Sequence, residues 1–487
     1  MSAEACDEPC IPEARIATWD ESADVLVVGL GCAGASAAIE AARAGAATLV
    51  VERASGGGGT TATSGGVFYC GGGTAVQKAC GFDDAPEEMF AYLRASTGVA
   101  PDLEKLRLYC ERSVEHFEWL RSLAIPFKAS YWPHNFEPWT DDCLWYSGSE
   151  EAHPYRELAR PAPRGHTVRA EGSCAGGPVL MRALEAALRA AGARTLTDVR
   201  VRALVRAGDG RVVGAVARRA GRDLALRARR GVVLATGGFA ANRELVARFA
   251  PQALALEPLG GAGEDGSGIE LGRAAGAECL NLSAAAYTCP VLVPFELIRG
   301  ILVNARGQRF VNEDVNHKRI GEQLVLHQEG RMFLVVDGAT FARPSFPGIE
   351  LAATGGTPAE LEAELGLPPL SLVKTLEVYD AHAARGRDPL FGKRAEFLRP
   401  LASPPYAAFD CSVGSGAPIR AFTLGGLWTA PGGEVRRPDG AAIPGLFAAG
   451  RSTSCLSAQS CGSSGLQLGE GTFFGRLAGQ GAARERA

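Results

Sequence analysis

Apolar and polar positions along this chain follow two different periods. From 24 to 28 a β-branched run (DVLVV) reads as a buried strand, and six residues later an Ala-rich stretch to about Arg43 reads as a helix. A second apolar run, Thr48–Val51, is again a strand, and it ends in Glu52. Helical spacing then predicts two helices within 86–125 (Met89, Leu93; Leu106, Tyr109, Phe117, Leu120) and another over 178–191. Strands are expected at 195–206, 211–218 and 231–235. From about 278 to 409 the rhythm changes, with strand-like pieces at 301–304 and 332–337 alternating with short helices at 358–365 and 370–383. A short strand at 445–450 and a final helix over 464–484 restore the earlier pattern. The sequence therefore predicts an α/β fold. A Rossmann-like nucleotide domain is built from 21–277 and 410–487, an α+β capping domain is inserted at 278–409, and 1–20 form a flexible arm.

The turn between the first strand and helix is Gly29-Leu30-Gly31-Cys32-Ala33-Gly34. Each glycine has a physical task in a dinucleotide site. Gly29 permits the tight turn, Gly31 lets the backbone approach a pyrophosphate, and Gly34 lets helix and strand pack closely. The helix N-terminus offers unpaired N–H groups and a positive dipole end. Glu52, at the tip of the next strand, suits the two hydroxyls of a ribose. Strand, turn, helix, strand and acid occur in that order, which favours dinucleotide binding over a purely structural βαβ unit. The stretch 54–73 (ASGGGGTTATSGGVFYCGGG) is too rich in Gly for a packed helix. Its backbone, with Thr60, Thr61, Ser64, Gly65 and Gly66, is suited to lie along a ligand. A second glycine pair follows the strand at 231–235, in Ala235-Thr236-Gly237-Gly238, and Glu264 and Asp265 open a further helix after 260–263.

Composition narrows the function classes. Of 487 residues 46% are hydrophobic and 21% charged, as in an ordinary globular protein, and a net charge of −4 gives no reason to expect nucleic acid as a partner. The 13 cysteines include no CxxC pair and no zinc spacing, so no metal is expected and a reducing compartment is. Cys6 and Cys10 sit in the N-terminal arm, either as a metal-binding or cross-linking pair or, the favoured reading, as part of a bland tail. No stretch has the length and apolarity of a membrane span, and the first 20 residues lack a signal-peptide pattern; the cytoplasm is the expected location. The segment 127–166 concentrates aromatic residues between prolines and reads equally as a surface mini-core or as a wall for an apolar ligand.

The set VVGLGCAG, Glu52, TSGG, VVLATGGF, RGILVNARGQRFVNED, TLGGL and GLFAAGR resembles the fumarate reductase/succinate dehydrogenase flavoprotein superfamily over nearly all of 22–483. The resemblance implies non-covalently bound FAD. It adds Arg53, Ala33, Val201, Asn242, Gly450, Arg451, Gly465, Leu466 and Leu468 to the residues expected around that cofactor. Within the superfamily, the pieces at 138–142, 144–148, 160–166 and 409–413 are similar to 3-ketosteroid dehydrogenases of the 4-ene-forming (5α) type. The cationic side chains with which fumarate reductases hold a dicarboxylate are replaced, by Phe422 before TLGG and by CLSAQSCGSSG at 455–465, which argues against a C4 dicarboxylate. The ketosteroid branch places tyrosines near His317 and at Gly462, and neither is tyrosine here.

The implied chemistry is hydride transfer between flavin N5 and a carbon near a ketone, coupled to proton transfer at the neighbouring carbon. His317 is the leading acid/base candidate, with an unperturbed pKa of about 6.5. Ser464 matches a family serine, Tyr287 is a second choice, and amides near Ser464 and Gly465 are the natural oxyanion donors. Cys461 is read as a small buried filler, and Lys318 and Arg319 as surface charges or phosphate partners. The expected partners are a small apolar ketone or enone and an external electron acceptor or donor. Two alternatives stay open: an ene-reductase of an enone or enoate, and a redox-silent flavin-binding paralogue.

Overall fold

Five parallel strands form the centre of the molecule, in the order Arg194–Leu196, Thr48–Val51, Glu21–Val28, Arg222–Leu234, Ala442–Ala448. They belong to a computed structural model that describes residues 8–170, 172, 175–457 and 459–486. Their register aligns Val28 with Val51 on one side and with Leu234 on the other, and Leu234 with Ala448. The carboxyl ends of these strands thus meet along one line, where open α/β sheets bind ligands. Val25 to Val27, Val50, Val232 and Val233 are almost fully buried, because helices cover both faces. The architecture is α/β, as the alternating periods predict.

The same sheet continues through Val212–Arg219 and Arg200–Arg206, now antiparallel, to the short edge strand Cys10–Pro12. This corrects the expectation of a flexible arm for part of it. Ile11 is buried against Ala203, Val205 and Val216, and three residues of pairing suffice to place that segment on the sheet edge. Cys6 lies outside the described residues, and Cys10 is a free thiol. The expected strand at 195–206 is two strands on opposite sides of the sheet, separated by a turn in which Asp198 takes a positive φ of 59°. The expected helix pair at 86–125 is three helices, Pro86–Ser96, Leu103–Glu111 and Ser113–Ser122, the second capped by Asp102 accepting from the Lys105 amide.

Two helices dominate the packing. The nucleotide helix Cys32–Arg43 is nearly all small residues, and the final helix Leu466–Arg484 lies directly against it. A Cβ at Gly475 would stand 2.5 Å from the Ala33 carbonyl oxygen, and one at Gly479 would run into the Ala37 carbonyl. The glycines therefore let two backbones touch, which fixes the end of the chain beside its beginning. A separate antiparallel sheet, Ile301–Val303, Phe333–Asp337, Tyr406–Asp410 and Glu350–Gly355, carries the helices Pro358–Glu364 and Ser371–Ala383. Its core joins Val303, Val335, Leu361, Leu372 and Leu376. Beside this core Glu313 is buried between Arg309 (2.8 Å) and Lys393 (3.2 Å), which makes the VNED stretch a structural anchor.

Gly479→Val is expected to lower stability by about 1–3 kcal/mol, the usual cost of overpacking. A thermal melt indistinguishable from that of the parent protein would show that the two helices do not depend on this contact.

Candidate active site

A cavity of about 600 Å³ runs along the carboxyl ends of the parallel strands. That is within the range of small-molecule sites, roughly 300–1,000 Å³. Gly29 has φ +102°, which only glycine adopts without strain, and a Cβ there would sit 2.5 Å from the Ala235 carbonyl oxygen. A Cβ at Gly34 would run into the Gly29 carbonyl, so that glycine serves packing and lies outside the cavity. Gly31 differs, because a Cβ there would meet nothing closer than Thr61 Oγ1 at 3.6 Å. The space above Gly31 is empty of protein and opens on the cavity, as a backbone cradle for a phosphate group requires.

Polar groups line both walls. Glu52 accepts from the Leu30 amide (2.7 Å) and the Ala54 amide (2.9 Å) and keeps lone pairs for hydroxyls. Thr61 Oγ1 accepts from the Cys32 amide at 3.1 Å, tying the glycine turn to the loop across the cavity. Thr60 donates to Glu264, and Glu264 pairs with both terminal nitrogens of Arg451, one at 2.7 Å. That buried acid–base pair leaves the middle of the cavity with no net charge from these two side chains.

The far end is assembled by one short segment. Ser147 O accepts from the Ser464 amide (2.7 Å) and from Asn316 Nδ2 (2.9 Å), while Ser149 Oγ accepts from the Asn316 amide (2.9 Å). Asn316 caps the helix His317–His327 through the Lys318 amide. Ser147 to Ser149 therefore hold the turn before the final helix and the start of His317–His327 side by side. Gly465, with φ +92°, closes that turn, and no bond within the described residues engages its amide. The Ser464 amide is committed to Ser147, so of the two expected oxyanion amides only that of Gly465 is available.

Of the residues predicted from sequence, Gly29, Gly31, Ala33, Glu52, Arg53, Thr60, Thr61, Ser64, Gly65, Val201, Ala235, Thr236, Gly237, Gly450, Arg451, Gly465 and Leu468 line the cavity. Five others do not. Besides Gly34, Gly66 packs on Gly176, Asn242 caps the helix Arg243–Phe249, and Asp265 pairs with Arg53 (2.7 Å) and Arg200 (3.3 Å). Leu466 is buried with Tyr69 and Tyr109 in a different cluster. Among the catalytic candidates, His317 and Ser464 reach the cavity and Tyr287 does not. The Tyr287 ring is buried in the main core, outside the cavity lining. Burial pushes its hydroxyl up to about 12.

His317 is a different group from the one expected. Burial, and then the charge of Lys318, pull its pKa down to about 3. Its Nδ1 faces the Cys289 amide at 3.4 Å, which leaves the proton of the neutral ring on Nε2. It is a neutral hydrogen-bond donor in place of a base titrating near neutrality. Lys318 is not a surface charge but a buried wall residue, 8% exposed. Arg319 does pair outward, with Glu322 at 2.7 Å. The aromatic segment serves in both expected roles: Phe136 and Trp145 line the cavity, while Trp132, His134, Trp139 and Phe295 stack among themselves. Asp141 is a surface partner of Lys128 and Arg169.

The sequence of the family described as "FAD binding domain" matches residues 24–472. The chain belongs to this family. A 3-oxo-5-alpha-steroid 4-dehydrogenase of Comamonas testosteroni is 33% identical, across 89% of this chain and 93% of its own length. The crystal structure of 3-ketosteroid-delta4-(5alpha)-dehydrogenase from Rhodococcus jostii RHA1, in complex with 4-androstene-3,17-dione, superposes with a TM-score of 0.94. It is 44% identical and covers 98% of this chain and 100% of that one. A probable fumarate reductase, Ifc3 of Shewanella frigidimarina, is 27% identical across 98% of this chain and 78% of its own length. The protein is an FAD-dependent oxidoreductase acting on CH–CH groups. The open cradle at Gly31, the acid at Glu52 and the length of the cavity fit that cofactor.

Glu52→Ala is expected to weaken FAD binding about ten- to hundred-fold, the worth of charge-assisted hydrogen bonds. Reconstitution of the flavin-free protein measures this, and an unchanged dissociation constant would confine Glu52 to shaping the turn.

Proposed function

We propose that the protein introduces a 4-ene into a 3-ketosteroid or a similarly flat, neutral ketone. The observation that carries this reading is the apolar lining of the substrate end of the cavity, by Phe136, Trp145, Pro290, Phe346 and Phe422. The names of the Comamonas and Rhodococcus relatives agree with a steroid substrate.

When bound, FAD supplies the two-electron acceptor for a hydride from the substrate. The protein's own part is to polarise the ketone and to manage the proton. In this reading the Gly465 amide and the His317 Nε2–H hydrogen-bond the ketone oxygen, which acidifies the neighbouring C–H. The N-terminus of Leu466–Arg484 adds its positive dipole end on the same side. The Ser464 hydroxyl lines the cavity without a partner among the described residues and is the polar group left to relay the released proton. Phe136 packs edge-on to His317 at 5.5 Å and keeps water from the ring. Electrons leave to an external acceptor.

A second reading, reduction of an enone or enoate, is favoured by one feature, the cation of Lys318 in the cavity wall. Anaerobic mixing separates the two. Oxidised holoenzyme is expected to lose its flavin absorbance on addition of a saturated 3-ketosteroid. Reduced enzyme that is rapidly reoxidised by fumarate, with no response to steroids, would overturn the proposal. His317→Ala is expected to slow flavin reduction about 10²–10³-fold, as for loss of an oxyanion donor. Because the ring stays neutral above its depressed pKa, the rate between pH 5 and 9 is expected to show no inflection from His317. An inflection near pH 6.5 that disappears in His317→Ala would restore the role of titrating base.

A further inference from the structure

Lys318 is the least expected group in the molecule. It is buried at the start of the helix His317–His327, in the cavity wall. Its ammonium has three hydrogens to place. One goes to the Ser463 carbonyl at 3.2 Å and one to Cys461 Sγ at 3.3 Å, and the Phe422 ring lies 5.6 Å away. No carboxylate among the described residues forms an ion pair with it. Of the other buried lysines, Lys393 has Glu313 at 3.2 Å, and Lys105, which lies outside the cavity lining, donates to Thr429 Oγ1 at 2.6 Å. The nearby cation Arg451 is matched by Glu264. A buried cation with neutral partners is costly until a negative charge arrives beside it.

We propose that Lys318 is a further catalytic residue, a charged donor whose remaining N–H stabilises negative charge on the substrate's oxygen as the neighbouring C–H bond breaks. This rests on the ketone-dehydrogenase reading. The ligand class it selects is an enolate, or a stable stand-in for one such as a phenolate. The arrangement favours the transition state over the ground state, because a neutral ketone gains less from the ammonium than the oxyanion does. Ser463 and Cys461 are positioning residues. They come from the turn that Ser147 holds in place, so the ammonium is carried to the same end of the cavity as the Gly465 amide. Burial holds the pKa of His317 down, and the neighbouring charge of Lys318 adds to that effect.

The test uses no turnover. Holoenzyme is titrated with para-nitrophenol at fixed pH, and the ionised fraction of bound ligand is read from its visible absorbance against ligand-free holoenzyme. The wild-type protein is expected to bind the phenolate about ten-fold or more tightly than the neutral phenol, the effect of one opposite charge at contact. Lys318→Met and Lys318→Gln, both checked for FAD content, are expected to lose that preference, and Lys318→Arg to keep it. Wild-type protein that binds the neutral form overturns the proposal whatever the variants do. So does an undiminished preference in Lys318→Met or Lys318→Gln. Phenolate preference in an enzyme that ignores steroids supports the role of Lys318 and removes only the steroid assignment.

Discussion

The far end of the cavity depends on a few hydrogen bonds, from backbone and side chains alike, at Ser147–Gly148–Ser149. This segment receives the Ser464 amide from the last glycine turn and Asn316 from the cap of the helix His317–His327. The two contributors are more than 140 residues apart in sequence, as the Lys318–Cys461 contact also shows. The common acceptor adds to the direct link between them through Lys318, Ser463 and Cys461. With it, the Gly465 amide, the Ser464 hydroxyl, the His317 ring and the Lys318 ammonium share one end of one cavity. The segment is itself rigid. The Gly148 amide donates to the buried carboxyl of Glu150, which also accepts from Tyr69, and the Ser149 amide donates to Tyr92. Burial raises the Glu150 carboxyl to about 7, so its neutral form adds a donor to this network in mild acid.

Charge is distributed unevenly along the cavity, and that unevenness is what the chemistry uses. At the nucleotide end each cation is matched: Arg53 and Arg200 by Asp265, and Arg451 by Glu264. At the substrate end the walls are aromatic and the dipole of Leu466–Arg484 points in. Lys318 and Arg420 line the cavity without an ion-pair partner among the described residues. Under the proposed function, a site of this kind takes a neutral, flat molecule and stabilises negative charge as it develops on that molecule's oxygen.

The nucleotide half was legible because local signals and global fold agree there. A β-branched run, a glycine turn, a small-residue helix and a terminal acid each have one physical use, and Gly29, Gly31, Glu52 and Thr61 stand where that use places them. The glycine spacing of the last helix was visible, but its purpose was not. Close backbone contact with Ala33 and Ala37 is a tertiary fact with no local sign. Lys318 was misread for a related reason. It lies in the polar run Asn316-His317-Lys318-Arg319, and a helix start of that composition normally faces solvent. Packing on the 147–149 segment turns Asn316, His317 and Lys318 inward. Tyr287 shows the opposite error, a polar aromatic near the right motifs that the sheet Ala285–Thr288 with Arg420–Thr423 directs into the core.

The proposed activation of a ketone takes place at the end of the cavity lined by Ser464, Gly465, His317 and Lys318. A crystal structure of the holoenzyme with a bound 4-ene-3-ketosteroid tests this most directly. The expected result is a steroid lying against the flavin with its 3-oxygen in hydrogen-bond distance of the Gly465 amide and facing His317 and Lys318. A steroid whose 3-oxygen points away from that turn, toward Arg420 at the other wall, would contradict it.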